Sequence, residues 1–128
     1  MSYFEARLLS GETVAGATAR VTEALKAQGF GVLTTIDVKE TLKAKIGADF
    51  RPYTILGACN PALAHQALQA EEHIGLMLPC NVVVQEKDGG AEVAAVDPVA
   101  SMAAVGNPTL AGIAEQVRDR LRQVVQAL

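Results

Sequence analysis

The sequence predicts an α+β fold: one sheet of about five strands, two main helices packed on the same face of it, and short inserted helices. Three observations carry this expectation. Five segments, near 2–8, 30–37, 53–58, 82–86 and 91–96, have strand patterning. Two longer stretches, 12–28 and 108–128, repeat apolar residues at helical spacing, so each has a single stripe to bury. Lys87-Asp88-Gly89-Gly90, between the last two strand segments, is a hairpin signal.

In Ser2 to Leu8, Phe4, Ala6 and Leu8 fall on one side and Tyr3, Glu5 and Arg7 on the other, the pattern of a half-buried strand. From Glu12 to Gln28, Val14, Ala17, Val21, Ala24 and Leu25 mark a helix. Glu12 suits its N-terminal dipole, and Gly29 supplies a left-handed stop. Phe30, Val32, Thr34 and Ile36 alternate as a second strand. Asp37 and Glu40 have capping-box spacing for a short helix ending at Gly47, with Val38, Leu42 and Ile46 as its apolar face. Tyr53 to Ala58 is a third strand, and Asn60-Pro61 supplies a cap and a first-turn proline for a helix to about Glu72. Val82 to Glu86 and Ala91 to Val96 are expected to pair antiparallel. Asp97-Pro98 ends that pattern, and Val99 to Gly106 fits a short helix as well as a loop. Asn107-Pro108 opens a helix whose stripe runs through Leu110, Ile113, Ala114, Val117, Leu121, Val124, Val125 and Leu128. Arg118, Arg120 and Arg122 lie toward its C-terminal end, where positive charge suits the dipole.

Half of the 128 residues are hydrophobic and 20% are charged, a globular composition, and no linker-like segment divides the chain, so 1–128 is expected to be a single domain. A formal charge of −3, no Trp and few Tyr or Phe argue against phosphate-backbone binding and base stacking, so no nucleic-acid partner is expected. Lys39, Lys43, Lys45 and Arg51 form the one local basic group, read as a solvated helix face. No run approaches the roughly 18 apolar residues of a membrane helix. Met1 to Leu9 carry Glu5 and Arg7 and lack a signal-peptide apolar core, so a cytoplasmic location is expected, with two free thiols rather than a disulfide.

No dinucleotide fingerprint, P-loop or metalloprotease helix motif is present. What stands out is a pair of similar peptides, Gly57-Ala58-Cys59-Asn60-Pro61 and Leu78-Pro79-Cys80-Asn81-Val82. Cys59 ends a strand just before a helix N-terminus, where amide donors and the dipole favour an anion, so the position predicts the more reactive thiol. Cys80 starts the next strand. Cys59, Asn60, Cys80 and Asn81 are therefore the candidate ligand-binding residues. The plain alternative makes both cysteines small buried hydrophobes, and both asparagines caps or turn formers. A metal would need a further ligand, for which His65 and His73 are the sequence's histidines. Asp37 and Asp97, also at strand ends, are read as a helix cap and a turn initiator.

The runs Tyr53-Thr54-Ile55-Leu56-Gly57-Ala58-Cys59-Asn60-Pro61, Leu76-Met77-Leu78-Pro79-Cys80-Asn81-Val82-Val83-Val84 and Val96-Asp97-Pro98 resemble the domain of unknown function 302 family, over nearly the whole chain. That resemblance implies an antiparallel sheet with two principal helices in the β-α-β4-α arrangement of the TATA-binding-protein (TBP-like) fold, and a tendency to form a homodimer. It implies neither DNA binding nor an established activity. Three readings stand: a module holding a small ligand, a soft metal or a sulfur species through Cys59 and Cys80; a structural or interaction homodimer without chemistry; and a hydrolase or transferase with Cys59 as nucleophile and a histidine base.

Overall fold

In the computed structural model, which describes residues 2–128, five side-chain caps start the five helices; the reading of the N-terminus from Met1 falls partly outside these residues. Thr13, Asp37, Asn60, Asp97 and Asn107 each accept a hydrogen bond from a backbone N–H two or three residues on. The chain runs β1 (Phe4–Ser10), α1 (Val14–Ala27), β2 (Gly31–Asp37), α2 (Val38–Ile46), β3 (Tyr53–Cys59), α3 (Pro61–Ala70), β4 (Cys80–Lys87), β5 (Gly90–Val96), α4 (Pro98–Met102) and α5 (Pro108–Gln126). Short 3-10 turns cover Ile74–Met77 and Ala103–Val105.

The strands form one sheet in the order β1-β5-β4-β3-β2, every neighbouring pair antiparallel, so the first strand lies beside the last. Asp88 (φ 47°) and Gly89 (φ 75°) form the two-residue turn between β4 and β5, a conformation that follows the twist of the paired strands. Gly90 then runs so close to β1 that a Cβ there would meet the Leu9 carbonyl carbon and Ser10 Cα at 3.0 Å. Helices α1 and α5 lie side by side on one face of the sheet. Val21, Leu25, Leu121 and Val124 from the helices meet Leu56, Val82, Val84 and Val93 from the sheet in the core.

The expected TBP-like β-α-β4-α arrangement with two principal helices is overturned. Helices α2 and α3 interrupt the run of four strands, and α3 is more than an inserted accessory: Leu63 and Ala67 are buried and the helix packs on α5. Proline at its first position and Asn60 as its cap, Oδ1 accepting from Leu63 N at 3.2 Å, account for this third packed helix. The segment after Asp97 resolves into α4 and a 3-10 turn, with Pro98 and Met102 buried.

Two strands present other faces than simple alternation suggests. Register sets Glu5, Arg7 and Leu9 opposite the buried Ala95, Val93 and Ala91 of β5, so these three face the helices. Arg7 Nη1 donates to the Gln126 carbonyl at 2.8 Å, and Phe4, Ala6 and Leu8 are left on the open face. In β2, a bulge between Val32 and Thr34 reverses the alternation: Val32 pairs with buried Ala58, whereas Ile36 pairs with Ile55 on the open face. Helix α2 buries no residue, and Ile46 of its expected apolar face is exposed.

Candidate functional site

Both Cys-Asn peptides arrive at one end of the sheet. Cys59 closes β3, Cys80 opens β4, and Cys80 pairs with Ala58, so the two cysteines lie on adjacent strands one position out of register. Cys80 is buried on the helix-facing side, like Ala58. Cys59, the last residue of β3, is half-buried and leads directly into Asn60, the cap of α3. Both residues border an apolar cavity of about 30 Å³ that reaches Asn60, Leu63, Met102 and Val117. A space of this size holds a water or two or a single ion, not an organic substrate.

Asn60 is the buried polar residue of this end, 8% exposed: its Oδ1 caps α3, and its Nδ2 packs against Gly29, 3.1 Å from where a Cβ there would stand. Asn81 pairs with Gly57, is exposed, and lines a separate depression on the open sheet face. The structure thus gathers Cys59, Asn60 and Cys80 around one cavity and places Asn81 elsewhere. His65 is exposed on α3, and His73 Nδ1 lies 3.8 and 3.7 Å from the Glu71 and Glu72 carboxylates. Among the described residues no three His, Cys, Asp or Glu side chains converge on a metal-sized point. The basic group disperses too. Lys39 bonds the Phe50 carbonyl, Lys43 pairs with Asp49, and Arg51 stacks over Phe50 with its charge 4.5 Å from the ring centre.

The model of the family described as Domain of unknown function DUF302 matches residues 7–128. The chain belongs to the DUF302 family. It is similar to the uncharacterized conserved protein DUF302 from Bacillus stearothermophilus, a crystal structure with 30% sequence identity, 98% of each chain covered and a TM-score of 0.91. No curated protein matches it. No helix of this DUF302 domain is long and apolar enough to cross a membrane, among the described residues.

Burial, and second the charge of the neighbouring Cys59, pushes the Cys80 thiol up to about 11. The DUF302 fold therefore keeps Cys80 protonated well above neutral pH. Because the folded value exceeds the ordinary thiol range, this contribution to stability is complete below about pH 9 and is lost as pH rises toward 11. Urea unfolding is expected to show a decline on the order of 2 kcal/mol across that window which Cys80→Ala lacks. Equal slopes for the two proteins would show that the thiol is not held in its neutral form. What the motif reading missed is the cavity's far wall, Met102, Ile113 and Val117, which α4 and α5 deliver from distant sequence. Nothing short of the α3–α5 packing would have disclosed it.

Proposed function

We propose that this DUF302 domain is an interaction module that acts as a homodimer, two copies pairing through the sheet face that α1 and α5 leave uncovered. One observation carries the reading: that face is apolar. Phe4, Leu8 and Ile36 are 42%, 40% and 46% exposed, and half-buried Tyr53, Ile55, Val83, Ala94 and Val96 share the face. A contiguous exposed apolar surface of this kind is the usual mark of an interaction site. Its polar residues are largely satisfied among themselves. Arg51 Nε donates to Gln85 Oε1 at 3.0 Å, Gln85 Nε2 to Glu92 Oε1 at 3.1 Å, and Lys87 Nζ to Glu92 Oε2 at 3.0 Å. Such a face offers little to a charged partner and suits another apolar surface, which a second copy supplies by two-fold symmetry.

Light scattering of the wild-type protein across micromolar concentrations is expected to give the mass of two chains. Val83→Glu enters a two-fold interface twice and is expected to weaken association by at least about 100-fold, yielding monomer with an unchanged circular dichroism spectrum. A wild-type monomer at every concentration would end the proposal.

The second reading keeps Cys59 and Cys80 as a site for a soft metal or a sulfur species, supported by the single cavity that both border. It expects the thiol left in Cys80→Ser to be alkylated faster at neutral pH than the thiol left in Cys59→Ser. Alkylation of Cys59 only after unfolding would leave it as a packing residue.

A further inference from the structure

Beside the cysteine end and the open face, the molecule has a cleft of about 530 Å³ where the start of β1 and the end of β5 meet α5. Its volume is that of a small-molecule site. Arg118 and Arg122, four residues apart on α5, lie on one helix face and form one wall. Glu5 and Asp97 supply two carboxylates to the same cleft, and Ala95, Val99 and Leu121 give it an apolar lining.

The charges are only partly committed to one another. Arg122 Nε stands 3.3 Å from Glu5 Oε2, yet that oxygen is shielded from solvent and accepts no hydrogen bond, alone in this among the side-chain atoms of the described residues. Asp97 Oδ1 caps α4 by accepting from Val99 N at 2.9 Å, which leaves its other oxygen uncommitted. Arg118 Nε pairs with Asp119 at 3.1 Å, so its terminal nitrogens remain for a ligand. A simple anion entering the cleft would meet two carboxylates, and a simple cation would meet two guanidinium groups. A ligand carrying both charges matches both walls, and an aliphatic substituent matches the lining.

We propose that this cleft binds a small zwitterion, an α-amino acid with an aliphatic side chain. Its carboxylate lies against Arg118 and Arg122, and its ammonium group donates to the accessible carboxylate oxygens of Glu5 and Asp97. The site borders the proposed dimer face, with Phe4 and Val96 common to both, and requires no catalytic step.

Titration of the ¹⁵N-labelled protein with L-leucine, 4-methylpentanoate and 3-methylbutylamine tests the assignment, because the two analogues each lack one charged group. Saturable amide shifts confined to residues near 5, 95–99 and 118–126 are expected with L-leucine, and binding at least about tenfold weaker with either analogue. Glu5→Gln and Arg118→Gln are each expected to weaken L-leucine binding by about tenfold or more. Arg118→Gln leaves the Glu5–Arg122 pair intact, so it remains informative if Glu5→Gln folds poorly. No saturable shift up to about 10 mM L-leucine, or equal binding of an analogue, would overturn the proposal.

Discussion

Replacing Leu121 with alanine is expected to lower the free energy of unfolding by about 2–5 kcal/mol. Leu121 is 2% exposed, on the buried stripe of α5 that meets α1 and the sheet. Truncation removes its transfer free energy and leaves a void that helices held from several sides cannot fill. Urea denaturation read by circular dichroism gives the difference directly. A loss below about half a kcal/mol would mean that the α5 stripe does not form the core interface.

The second large effect comes from adding a single methyl group. Gly90→Ala is expected to destabilise by about 1–3 kcal/mol or more, because its Cβ would press on the Leu9 carbonyl and the Ser10 backbone, and backbone held in a sheet cannot swing aside. Gly112→Ala makes the contrast. Gly112 lies inside α5 with nothing near its Cβ direction, so alanine there is expected to stabilise by about 0.5–1 kcal/mol. Thermal unfolding of the two variants should therefore move in opposite directions. Similar shifts would show that close approach to β1 is not what keeps Gly90 a glycine.

The helices were legible because their signals are local. A capping side chain and a following proline act within one turn, so Asn60-Pro61 and Asn107-Pro108 mark the starts of α3 and α5 directly. The extent to which α3 is a structural element was not legible, because its burial depends on α5, which follows it by about forty residues. The faces of β1 and β2 were hidden for a related reason. Alternation shows that two faces differ but not which one meets the helices. In β1 the side bearing Glu5 and Arg7 turns inward and both side chains reach α5, Arg7 to the Gln126 carbonyl and Glu5 to the Arg122 guanidinium, and in β2 one bulge inverts the pattern midway. At the cysteine end the sequence placed both Cys-Asn peptides at strand boundaries. It could not show that register would separate Asn81 from the other three residues, since that depends on which strand pairs with which.

The pairing of β1 with β5 has a consequence for how the protein comes into being. Glu5 lies opposite Ala95, so the strand made first finds its partner only when most of the chain has been synthesised, several seconds later at roughly 5–20 residues per second. Through that interval Phe4 and Leu8 sit on an unpaired segment beside Tyr3, with no β5 to complete the sheet. Contacts this distant in sequence also slow folding, because the entropy of closing a long loop is spent before any pairing is gained. Moving β1 to follow β5 by circular permutation should therefore speed folding, because the pairing of these two strands would become local.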